Sequence, residues 1–207
     1  MIDYTEYDIC GTPLKIFDSV NGIVVSGGAD SSILLYLLLK YSKKPLHIFT
    51  LCNDRKGTYT PKQSIDVVSK CAELTQNYNF KHHISYTVVQ TRNALFAPAL
   101  EYITDGYVYT GITSNPPKDI TDNFLEVTPD IDRDPSTIRS PFEYDKIYTP
   151  WTNLNKKQIC NIYKHYNLLD SLFTLTRSCE ALKETVTQMH CGKCWWCEER
   201  KWGFGLE

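Results

Sequence analysis

Apolar positions run along the chain as alternating strand-length and helix-length stretches. Residues 22–27 read as a short buried strand, and residues 33–40, "ILLYLLLK", are Leu-rich and apolar on nearly every side, as suits a helix packed between other elements. "LHIFTLC" (46–52) predicts a second strand. A helix is predicted over 61–78, where Pro61 holds a first-turn position and Ile65, Val68, Ala72 and Thr75 are spaced to share one face. A strand over 82–90, a helix over 92–103 and a strand over 106–113 follow. This order predicts an α/β fold built on a doubly wound, mainly parallel sheet. Such sheets bind ligands beyond the carboxyl ends of their strands.

The alternation lapses over residues 114–145, which hold five prolines and many Asp, Thr and Ser, and predict a long loop or lid. Helical spacing returns over 155–166, with Asn153 or Asn155 as N-cap, before a cysteine-rich tail. The division expected is an α/β domain over 1–170 and a small cysteine-rich segment over 171–207. No internal repeat or low-complexity tract interrupts it.

Composition narrows the function classes. At 207 residues, 42% hydrophobic and 22% charged, the chain suits one globular domain with a small appendage. A net charge of −2 gives no global basic field, so nucleic acid is not an expected partner. The longest apolar run, "ILLYLLL", is too short to span a bilayer, and "MIDYTEYDIC" is no charged and then apolar leader. The expectation is a cytoplasmic protein with no membrane partner, whose eight cysteines serve a metal site rather than disulfides.

The first strand breaks into "SGGADSS", residues 26–32. Gly27 and Gly28 let backbone N–H groups turn inward with no side chain in the way, and the helix that opens near Asp30 adds its unpaired N–H groups and positive dipole end. Ser26, Ser31 and Ser32 add hydroxyl donors, and Ala29 completes a cradle suited to phosphate. The plainer alternative is an ordinary strand–helix turn with Asp30 or Ser31 as N-cap. A Walker A loop is excluded, because no Lys stands at the required place.

In the tail, Cys191, Cys194 and Cys197 stand at C-x₂-C-x₂-C spacing, with Cys179 upstream and His190 adjacent. Such a knuckle aims its sulfurs at one centre, where Cys179 or His190 supplies the fourth ligand of a tetrahedral zinc; an iron–sulfur cluster is the rival at this spacing. Cys10, Cys52, Cys71 and Cys160 lack partners at motif spacing and read as small hydrophobes.

Residues 26–31 resemble the S-G-G-x-D-S signature of the PP-loop ATP pyrophosphatases. Within that superfamily, "TRSC" (176–179), "CGKCWWC" (191–197) and Arg200 followed by "WGF" resemble the ending of the 7-cyano-7-deazaguanine (preQ0) synthases, the QueC family. "RNALF" (92–96) resembles that family's central R-N-x-x-F, and "YTPWTNLNKKQI" (148–159) its P-x-x-x-x-x-K segment, with Lys156 or Lys157 in the lysine's place. The resemblance implies an ATP-dependent carbon–nitrogen ligase that uses ATP with magnesium and carries one structural zinc on Cys179, Cys191, Cys194 and Cys197. It implies ATP contacts from residues 26–32, with Ser26, Asp30, Ser31 and Arg92 catalytic. It also implies substrate contacts from Arg92, Asn93, Gly111, Asp119, Asp122 and Lys157, and a homodimer. The implied reaction takes 7-carboxy-7-deazaguanine and ammonia to the nitrile by adenylating first the carboxylate and then the amide.

Two stretches depart from that pattern. "CNDRKGTYT" replaces the Tyr-Gly-Gln expected after the second strand, and "GITSNPPKDITDNF" (111–124) replaces a G-Y-P-D-C-type segment beside the substrate. They raise two alternatives: a related enzyme that stops at the amide or modifies another acceptor, and a nucleotide-binding zinc module without catalysis.

Overall fold

The computed structural model describes residues 2–53, 62–87, 92–126, 133–143, 146–179 and 190–206. The chain opens with a hairpin that the apolar pattern does not signal. Strands β1 (Tyr4–Ile9) and β2 (Thr12–Phe17) pair antiparallel with Ile9 opposite Thr12. Their two-residue turn puts both Cys10 (φ 54°) and Gly11 (φ 82°) at positive φ, which matches the twist of the strands it joins. Cys10 is exposed there, so it does not pack as a small hydrophobe, whereas Cys71 and Cys160 are buried as expected.

The main sheet has six strands in the order β5-β4-β3-β6-β8-β7. Its members are β3 (Asn21–Val24), β4 (Leu46–Asn53), β5 (Phe80–Thr87), β6 (Val108–Tyr109), β7 (Phe142–Glu143) and β8 (Ile147–Tyr148). All neighbours pair parallel except β7, which runs antiparallel on β8 at one edge. The side-chain period of two splits the core. Ile23, Val25 and Ile48 face α1 (Ala29–Tyr41), while Phe49 and Val108 meet Ala99 and Ile103 at the end of α3 (Arg92–Tyr102). Residues 31–39 of α1 are all buried, which is why that helix needs no polar face. Helix α2 (Lys62–Thr75) packs beside it through Val67, Val68, Cys71 and Ala72. Its inward face is rotated from the expected one, leaving Ile65 exposed; Pro61 lies outside the described residues.

The expected strand over 106–113 shortens to β6, because the chain leaves the sheet after Tyr109 and Gly111 lies against the start of α1. The expected long loop over 114–145 also holds a single helical turn, α4 (Lys118–Thr121), and β7. Helix α5 (Lys156–His165) is capped by Asn155, whose side chain accepts from the backbone of Lys157 and Gln158 while Gln158 returns the bond. The cysteine tail ends in a helix of its own, α6 (Trp195–Phe204), stopped by Gly205 in the left-handed region and packed on α5. Among the described residues, no helix is long and apolar enough to cross a membrane.

Candidate nucleotide site and cysteine cluster

Strand order determines where a ligand crevice opens. The chain moves from β3 outward through α1 to β4 and β5, then returns by α3 to β6 on the other side of β3. The carboxyl ends of β3 and β6 therefore diverge at a switch point, with residues 26–32 on one side and residues 110–115 on the other. Gly111 makes the closest approach between them: a Cβ on it would lie 2.6 Å from the Ser31 amide nitrogen.

The loop is shaped for an anion. Gly27 sits at φ 78°, where a Cβ would also meet Ser64 at 3.2 Å. Gly28 is the N-cap of α1 and makes no side-chain capping bond, so neither Asp30 nor Ser31 caps the helix. Among the described residues, the first N–H groups of α1 thus have neither an intrahelical acceptor nor a side-chain cap. Ser26 is exposed, with its Oγ 3.2 Å from Ser31 Oγ and accepting from Gly28 N. Ser31 and Ser32 are buried, and their hydroxyls both donate to the Gly28 carbonyl, at 3.3 and 2.7 Å.

Three outside contacts hold the loop from beneath. The buried Tyr163 hydroxyl donates to the Ala29 carbonyl at 2.7 Å, and the Arg177 amide donates to the Gly27 carbonyl at 2.9 Å. Lys156 Nζ pairs with Asp30 Oδ2 and lies 3.7 Å from Glu199 Oε2. Glu199 Oε1 in turn accepts from Arg133 at 2.6 Å, completing a chain of four charges of alternating sign. Nearby, Arg200 bonds Thr176 Oγ1 and the Phe173 carbonyl and stacks on the Phe173 ring at 3.7 Å. Burial pushes its guanidinium down to about 10 against the opposing pull of Tyr163 and Asp30.

The sulfurs of Cys179, Cys191, Cys194 and Cys197 lie within 4.8 Å of one another. Cys191 and Cys197 are 3.8 Å apart, and Cys179 and Cys194 are 3.9 Å apart. A tetrahedral ion with metal–sulfur bonds of about 2.3 Å needs edges of about 3.8 Å, so the donor set fits one such ion. A cluster would hold its thiolates further apart than a single ion does. Amides of Cys191 and Cys194 donate to Cys179 Sγ and Cys191 Sγ, each at 3.3 Å, and Gly192 at φ 78° makes the knuckle's turn. Cys179 is the fourth sulfur of the group, and His190 is outside it. Burial, then the charges of Arg200 and Arg177, push the His190 imidazole down to about 4.

Between residues 57 and 206 the chain matches the family model described as queuosine biosynthesis protein QueC. The chain belongs to the QueC family. No curated protein matches it. QueC is a family of PP-loop enzymes of the preQ0 synthase type, and the matched segment holds the four-thiol group, Gly111, α4 and α5. Residues 26–32 precede that segment, so the nucleotide loop stands on its own motif and geometry.

Within this QueC chain the other expected site residues lie apart. Arg92 and Asn93 open α3, with their side chains outside the described part. Asp119 and Asp122 are exposed on and just after α4. Lys157 is exposed and lies over the Trp202 ring at 4.8 Å, whereas Lys156 is the lysine that reaches the loop. Trp195 is buried edge-on against Phe124 and Trp196 lies by the cysteines, so both pack the knuckle. Sequence reasoning misses Arg133, Tyr163 and Glu199. The one available signal is that Glu199 and Gly203 stand one helical turn apart, the spacing of a face.

Proposed function

We propose that the chain is an ATP-dependent ligase that converts 7-carboxy-7-deazaguanine and ammonia to 7-cyano-7-deazaguanine through adenylated intermediates. The observation that carries this reading is the uncapped N-terminus of α1, opened by Ser26-Gly27-Gly28 at the switch point of a QueC-family chain.

In the proposed reaction, a substrate carboxylate oxygen attacks the α-phosphorus of ATP and pyrophosphate leaves. Ammonia then attacks the acyl carbon, AMP leaves, and loss of a proton gives the amide. The amide oxygen then attacks the α-phosphorus of a second ATP, a second pyrophosphate leaves, and loss of AMP with the two N–H protons gives the nitrile. The α1 amides, Ser26 Oγ and Lys156 supply donors where charge accumulates on the phosphates. Asp30 would help hold magnesium, which would supply charge neutralisation at the phosphates. Arg92 and Asn93 are proposed to meet the substrate from the start of α3, with Gly111, Asp119 or Asp122, and Lys157 around it. The segment 171–207 is proposed as a structural zinc appendage on the domain formed by 1–170, since four thiolates leave no open position on zinc.

Purified protein incubated with ATP, magnesium, ammonium and 7-carboxy-7-deazaguanine is expected to release pyrophosphate and yield the nitrile by mass. Ser26→Ala is expected to slow release about tenfold or more, as for loss of one preorganised donor. Release of pyrophosphate with an amide as the end product would replace this reading by a second one. The altered segment 111–124, in place of the family's substrate-side motif, favours that second reading.

A further inference from the structure

We propose that Glu199 is a positioning residue for the nucleotide loop: its carboxylate, anchored by Arg133, holds the Lys156 ammonium against Asp30 at the N-terminal end of α1. This rests on the reading of residues 26–32 as the ATP site.

The four charges come from four separate segments and are 0 to 17% exposed at the side chain. Arg133 is fixed before it meets Glu199. Its Nε donates to the Thr113 carbonyl at 2.7 Å, and its NH2 to Thr113 Oγ1 at 3.0 Å and the Ser114 carbonyl at 3.3 Å. It thereby locks Glu199 to the loop that follows β6. Glu199 Oε2 makes no hydrogen bond among the described residues and faces Lys156 Nζ at 3.7 Å, a charge contact that aims the ammonium. The lysine's stem is held by the same helix, since a Cβ on Gly203 would lie 2.2 Å from Lys156 Cβ. Lys156 is thus clamped at both ends by one face of α6, and its head is delivered to Asp30, in the first turn after the glycine cradle. Buried ion pairs add little stability over apolar residues of the same size, so three in series that end at the nucleotide loop point to placement. Glu199 is fully buried, with Lys156 between it and Asp30, and so acts through Lys156.

The test is a double-mutant cycle read by ATP affinity and by pyrophosphate release. Glu199→Gln is expected to weaken ATP binding and slow release about tenfold in the wild-type background, and to change ATP affinity less than about twofold in the Lys156→Met background. Zinc content and cooperative melting should be retained, and Glu199→Asp should recover part of the loss. If Glu199→Gln does not fold, Glu199→Asp is measured in the two backgrounds by the same criterion. Equal losses in both backgrounds, or no loss in either, overturn the proposal and leave the ATP reading intact. A wild-type chain that binds no ATP removes that reading and this proposal with it.

Discussion

Gly111 shows how one missing side chain shapes the site. The family motif is altered around it, yet the glycine stands where the end of β6 meets the first turn of α1. Gly111→Ala would drive a methyl group into the Ser31 backbone, and overpacking of this kind costs about 1–3 kcal/mol. The expected outcome is a lower chemical-denaturation midpoint together with ATP affinity reduced about tenfold, since the displaced backbone includes the loop's own N–H donors. Unchanged affinity in a folded variant would separate Gly111 from the nucleotide site. Adjacent lysines give the opposite lesson. Lys156 and Lys157 are indistinguishable in composition, and only the rotation of α5 puts one beneath the loop and the other over Trp202.

At the scale of elements, β4 and β5 are joined by imidazoles as well as by their parallel ladder. His47 Nδ1 meets His83 Nε2 at 2.9 Å, and His82 Nε2 meets Thr50 Oγ1 at 2.8 Å. Burial first, then the neighbouring His and Lys81 charges, lower all three His47, His82 and His83 from the usual 6.5. The unfolded chain therefore binds more protons than the folded one just below that value, and stability rises with pH across the interval. Acidification from pH 7 to 5 is expected to lower the urea midpoint, and the fall should be shallower in His47→Gln/His83→Gln. An equal fall in that variant would assign the effect to other groups. Helices α1 and α5 are legible in the sequence because burial on every side and a capping box leave local marks: ILLYLLL and Asn155 with Gln158. The β1–β2 hairpin and α6 leave none, since a Cys-Gly turn and a short Trp- and Cys-rich helix gain their order from what they pack against.

Across the whole molecule, the thiol group joins the start of α6 to Cys179 in the segment that follows α5. Cys194 is the N-cap of α6 and Cys197 lies in its first turn, so the metal would set the helix that carries Glu199 to Lys156 and Arg200 to Thr176. Chelation is expected to lower the melting temperature and abolish pyrophosphate release together, both returning with added zinc. Release that persists after the metal is gone would show that the knuckle and the loop are independent. The α/β class, the glycine cradle, three thiols of the cysteine group and the family were already legible in the sequence, because each is written in local spacing: strand and helix periods, S-G-G-x-D-S, C-x₂-C-x₂-C. It took the folded structure to show that Cys179 rather than His190 joins the sulfurs, that Lys156 rather than Lys157 reaches the loop, and that Arg133, Glu199, Lys156 and Asp30 share one buried chain of charge. The charge pairs in that chain join residues 43 to 126 positions apart, and long-range electrostatic partners leave no period in the sequence for a local pattern to reveal.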